Sequence, residues 1–173
     1  TVYGPSATAP TGAGSYSVTA TINDSNYSGS GSATLTVNKA APSISWATPA
    51  AITYGTALSG GQLNATANVP GNFVYAPAAG TVLNAGSQNL SVTFTPTDTT
   101  DYTTATANVT LTVNKAAGSV TLGNLAQTYD AAPKATSAST TPSGLSVAFS
   151  YSGTSGTVYG PSATAPTGAG SYS

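Results

Sequence analysis

Residues 86–95 read GSQNLSVTFT and residues 109–113 read VTLTV. In the first stretch Leu90, Val92 and Phe94 alternate with Ser91 and Thr93. In the second Val109, Leu111 and Val113 alternate with Thr110 and Thr112. A period of two sends successive side chains to opposite faces, so each stretch predicts a strand with one face on a core and the other in water. Threonine on the wet face has high strand propensity and carries no charge. The alternation recurs outward from this centre, at Val18, Ala20 and Ile22 and again at Leu145, Val147, Phe149 and Tyr151. Pro and Gly punctuate the chain at Pro70-Gly71, Pro77, Gly80, Gly86 and Pro96, a spacing that predicts short antiparallel strands in a sandwich. No stretch holds a helical period with caps. The expected fold is all-β, with essentially no helix.

Internal repeats set the organisation. Residues 1–17, TVYGPSATAPTGAGSYS, recur letter for letter as residues 157–173, an offset of 156. A shorter repeat, TLTVNKAA, stands at 34–41 and again at 110–117, 76 residues later. The period of 156 thus divides into two related modules. Residues 1–39 are expected to be the C-terminal half of an A-type module and 40–115 a complete B-type module. Residues 116–173 are then the N-terminal part of the next A-type module. The order of signals is held in both modules: Tyr54-Gly55 or Tyr129-Asp130, then Gly86-Ser87 or Gly14-Ser15, then an Asp turn and Tyr102 or Tyr27, then the closing TLTVNKA. Ser173 falls inside a strand that continues, in the other copy, as Val18-Thr19-Ala20. The chain therefore reads as a window on a longer polypeptide, with exchange of strands between separate subunits as the rival.

Composition excludes much chemistry. The chain of 173 residues has a net charge of −1 and 4% charged residues, against roughly 25% in an ordinary soluble domain. The acids are Asp24, Asp98, Asp101 and Asp130 and the bases Lys39, Lys115 and Lys134; Arg, Glu, His, Cys and Met are absent. Without Cys or His there is no thiol nucleophile, no Cys or His zinc site and no serine–histidine triad. Without Arg there is no basic footprint for nucleic acid. No apolar run approaches the ~18 residues of a membrane span. Absence of Cys together with abundant Thr and Ser fits a bacterial or archaeal extracellular chain that does without disulfides.

The modules resemble bacterial immunoglobulin-like tandem repeats of the MBG or YDG type. The marks are Tyr54-Gly55-Thr56, Tyr129-Asp130-Ala131, the Asp segments before Tyr27 and Tyr102, and the closing LTVNKA strands. The resemblance runs over the whole chain. It implies immunoglobulin-like β-sandwich modules in tandem, in very large secreted or surface-attached bacterial proteins, as stalks or fibres.

Candidate sites are few. Asp98 and Asp101 could make a carboxylate pair, but a DTTD turn whose side chains bond their own backbone accounts for them. Lys134 beside several Ser reads as a solvated loop lysine. Asn23, Asp24 and Asn26 form one oxygen-rich turn and Asp98 and Asp101 another, the weak candidates for structural calcium; neither supplies the six to eight oxygens of a full loop. No other cofactor is expected. Tyr27 and Tyr102, each after an Asp turn, are expected to pack inward with the hydroxyl on backbone, as in a tyrosine corner. Trp46 is expected in the core or at a module junction, and Phe94 in the core of the B-type module with Ile44, Tyr54, Leu63, Phe73 and Tyr75. Lys39 and Lys115 sit at module borders, a linker position and not the core position of an isopeptide lysine. Five sequons, at Asn23, Asn26, Asn64, Asn89 and Asn108, make glycans possible partners in some hosts.

These readings predict a structural, non-catalytic segment of an extracellular fibre, stalk or filament, whose partners are neighbouring repeats head to tail. The alternative is an adhesin segment binding carbohydrate or a host surface protein. Near-identical repeats favour the spacer, since a binding tip would be a single divergent domain.

Overall fold

The structure, a computed structural model, describes residues 6–173; residues 1–5, the start of the first 17-residue repeat, lie outside the described residues. The chain is all-β, with no helix among the described residues. It divides into two compact units, Thr1–Ala116 and Ala117–Ser173.

The first unit opens with a hairpin, β1 (Gly14–Thr21) against β2 (Ser30–Val37). Short strands β3 (Ile44–Ser45) and β5 (Thr66–Ala67) pair with each other. A four-stranded sheet follows in the order β4-β8-β7-β6, built from β4 (Ile52–Thr53), β6 (Gly71–Ala76), β7 (Gly86–Pro96) and β8 (Ala105–Asn114). β4 runs parallel to β8 and the other neighbours are antiparallel.

The alternation of β7 and β8 becomes the core. Leu90, Val92, Phe94, Leu111 and Val113 are buried, and the intervening Thr side chains of β8 are exposed. Leu58, in the loop after β4, joins them at 2% exposure although no strand pattern announced it. Trp46, Ile52 and Leu63 pack on this cluster half-buried. Phe73 packs tilted against Phe94 with ring centroids 4.8 Å apart, and Trp46 meets Tyr75 edge-on at 5.4 Å. The Trp46 indole donates to Gln62 O at 3.0 Å, so its polar edge is satisfied while its rings face the core. Gly71 stands opposite Pro96, and a Cβ there would lie 2.4 Å from Thr95 O and 2.5 Å from the Phe94 ring. Only glycine lets the β6 backbone close over that ring.

Three expectations need correction. Tyr54 is 51% exposed: β4 ends at Thr53 and the chain turns, with Thr56 N donating to Thr53 O at 3.0 Å, so the alternation stops one residue before the tyrosine. Tyr27 is 73% exposed and not in a core. The residues of its hairpin are exposed apart from half-buried Tyr16 and Val37, so there is no core for the ring to enter. Residues 145–151 do not form the expected strand; Tyr151 makes one isolated bridge to Ser162, and Leu145 is 51% exposed. Alternation supplies a face, but a strand also needs a neighbour for its backbone groups.

The second unit holds two small antiparallel pairs, β9 (Ser119–Gly123) with β10 (Ser137–Thr141) and β11 (Gly153–Thr154) with β12 (Ser171–Tyr172). Phe149 and Tyr151 stack at 6.1 Å, and Tyr159 meets Tyr172 edge-on at 5.7 Å. An open cavity of about 510 Å³ lies beside them, lined among others by Leu122, Leu125, Tyr129, Phe149, Tyr151 and Tyr172.

Candidate functional site

The Asp turns are built alike. Asp98 Oδ1 accepts the amides of Thr100 at 2.9 Å and Asp101 at 3.1 Å. Asp24 Oδ1 accepts those of Asn26 at 2.8 Å and Tyr27 at 3.1 Å. In both, the carboxylate replaces the backbone acceptor that a tight turn lacks. Asn23, Asp24 and Asn26 thus remain in one turn and Asp98 and Asp101 in another. Among the described residues no three acidic, His or Cys side chains gather into a metal-binding group.

The Asp98 turn also receives the end of the hairpin. Lys39 Nζ donates to Thr99 O at 2.6 Å, and Asp101 Oδ1 accepts the Ala13 amide at 2.5 Å. Ala40 N donates to Asp101 O at 2.8 Å and Ala40 O accepts from Thr103 N at 2.9 Å, which makes Ala40 and half-buried Tyr102 a parallel bridge. Residues on both sides of the border between the expected A and B modules are therefore joined by direct hydrogen bonds between segments distant in the sequence. The NKA segment is a docked linker, not an extended free one.

A second device was missed in the sequence. Tyr16 Oη donates to Gly12 O at 2.7 Å, Tyr172 Oη to Gly168 O at 2.8 Å and Gln88 Nε2 to Asn84 O at 2.9 Å. Each is a side chain clipping the carbonyl four residues back, across an Ala-Gly-Ser corner that opens a strand. The signal was present: X-Ala-Gly-Ser-Y stands at 12–16, 84–88 and 168–172. The hydroxyl-to-backbone role expected of Tyr27 and Tyr102 is taken by Tyr16 and Tyr172. In the interior, Tyr75 Oη accepts the Ala65 amide at 2.9 Å and Tyr151 Oη the Thr136 amide at 3.3 Å.

Lys134 is not a freely solvated loop lysine. It forms an ion pair with Asp130, its side chain 16% exposed against 63% for the aspartate, and its amide donates to Pro166 O at 2.8 Å. The hydrogen bond from Lys134, followed by that from the Ala132 amide, holds the Asp130 carboxyl below its ordinary value. Asn23, Asn26, Asn64, Asn89 and Asn108 are all exposed.

The family model described as the MBG domain matches residues 1–41 and 118–173, more than half of the chain. Those are the two stretches read as A-type; the resemblance of the stretch between them rests on the parallels within the chain. No curated protein and no solved structure matches.

Proposed function

This chain belongs to the MBG domain family, and we propose that it is a structural segment of an extracellular fibre, stalk or filament, built of immunoglobulin-like modules in tandem. MBG domains are typical of repeats in large bacterial surface proteins and are generally non-catalytic. One observation carries the reading. The hairpin β1–β2 has the register of β7–β8, with Gly14 opposite Val37 as Gly86 is opposite Val113, and Val18 opposite Ala33 as Leu90 is opposite Val109. Yet Leu90 and Leu111 are fully buried, while Val18 and Leu35 are 45% and 41% exposed. The hairpin is a closing half whose apolar face is uncovered.

The second unit supplies the opposite need. Phe149 and Tyr151 correspond to Phe73 and Tyr75, 76 residues earlier, and stack in the same way. In the first unit Phe73 is covered by Phe94 of β7. Phe149 instead lines an open cavity. An opening half with a cavity and a closing half with a bare apolar face support completion of each A module by a neighbouring copy, and hence a linear array in which repeats stabilise one another. The bacterial cell surface or its exterior is the expected location.

Hydrogen exchange tests this on a chain in which the 156-residue period is repeated. Internal copies of β1–β2 should exchange as slowly as β7–β8. Exchange as fast as in the 173-residue chain would refute completion.

A further inference from the structure

The junction geometry has a second, open version on the same unit. We propose that Asn84, Ala85, Lys115 and Ala116 form a seat for the Asp24 turn of a second copy of this chain; the inference rests on the tandem-array reading above and names its contact surface.

The seat matches the end of the hairpin that is already docked. Gly12-Ala13-Gly14-Ser15 corresponds to Asn84-Ala85-Gly86-Ser87, and Lys39-Ala40 to Lys115-Ala116. Both corners carry the same clip to the carbonyl four residues back. Both open hairpins of the same register, so Lys115 stands beside Ala85 as Lys39 stands beside Ala13. At the first place the Ala13 amide and the Lys39 ammonium are held by the Asp98 turn. At the second, Asn84, Ala85, Lys115 and Ala116 are all exposed.

The Asp24 turn is the matching occupant. Its carboxylate accepts amides two and three residues on, at distances within 0.1 Å of those at Asp98. Asn26, directly before Tyr27, takes the place of Asp101 directly before Tyr102, and its Oδ1 is an acceptor for the Ala85 amide. Ser25 O takes the place of Thr99 O as acceptor for Lys115. Tyr27 takes the place of Tyr102 as bridge partner, to Ala116, which gives the 73% exposed ring a neighbour. The Asp24 turn is one residue shorter than the Asp98 turn, and the residue omitted lies between the carbonyl acceptor and the side-chain acceptor. Seat and turn lie on different patches of one chain, so the contact is head to tail and leaves a seat and a turn available for further copies. The junctions would alternate, one with the Asp101 carboxylate and the next with the neutral Asn26 amide.

The chain has no cysteine, so introduced pairs report cleanly. A Cβ at Gly12 would lie 3.2 Å from Asp101 Oδ1, which brings the two Cβ atoms near disulfide range. The variant G12C/D101C is the internal control, and N84C/N26C the test. Concentrated N84C/N26C under mild oxidation should give a reducible dimer or ladder, with each single variant giving none of the higher steps. A chain that stays monomeric or bridges only within itself, while the control forms its internal bridge, overturns the seat. Failure of the control removes the junction geometry and the seat with it. A monomeric N84C/N26C beside slow exchange in the repeated chain would remove the seat and leave the array standing.

Discussion

Phe94 shows how much one residue decides in a chain this poor in large side chains. It is fully buried, touches Phe73 at 4.8 Å and requires glycine at position 71. Phe94→Ala should cost ~3–5 kcal/mol through lost transfer energy and the cavity left behind, read as a lower urea midpoint. Asp130 illustrates the opposite extreme, an exposed carboxylate with a defined partner. Its folded value lies below the ordinary 3.8, chiefly through the Lys134 hydrogen bond. The stabilisation is therefore fully present above about pH 4 and is lost as pH falls through the depressed folded value. Carboxyl NMR titration should find Asp130 below its ordinary value and rising toward it in the K134M variant. No rise would mean that Lys134 is not its partner in solution.

Among the elements, the two hairpins are a natural comparison because their registers coincide while their burial does not. Leu90→Ala should cost ~2–5 kcal/mol. Val18→Ala, at the matching position of β1, should stay within ~0.5 kcal/mol in the 173-residue chain. Equal costs at the two positions, measured by denaturant unfolding, would show that the β1–β2 face is already covered. The strands of these hairpins were legible because alternation is a local property that a period of two writes directly into the sequence. Residues 145–151 alternate as well, yet they remain irregular, since their backbone groups find a single bridge instead of a pairing strand. Tyr54 failed for a related reason: the turn that follows Thr53 is a tighter local demand than the alternation it interrupts.

For the whole molecule, the repeats set a length scale. With strands of ~7 residues at ~3.3 Å per residue plus loops, modules placed end to end should advance ~70–85 Å for each 156-residue period. The docked linker sharpens that expectation, because the Lys39 and Ala40 contacts leave little freedom at the border of the first two modules. Electron microscopy of a chain with the period repeated several times should show straight, evenly spaced modules. An array that lengthens by only half of that for each added 156-residue period, or modules packed side by side, would contradict the end-to-end arrangement.

The sequence alone determined the all-β character, the absence of His, Cys and Arg side chains and the repeat period, since composition, alternation and identity of repeats need no folding to be read. It also carried the MBG resemblance. The tertiary structure decided the rest. The Asp turns and the Ala-Gly-Ser corners looked like ordinary loop sequence until folding brought Ala13 to Asp101, 88 residues away, and Lys39 to Thr99, 60 residues away. Burial was likewise settled by what lies opposite: Leu90 and Val18 share a pattern and a register, and only the presence of covering side chains made one core and left the other bare. Periodicity is fixed by the backbone of a single segment, whereas packing depends on which distant segments meet it.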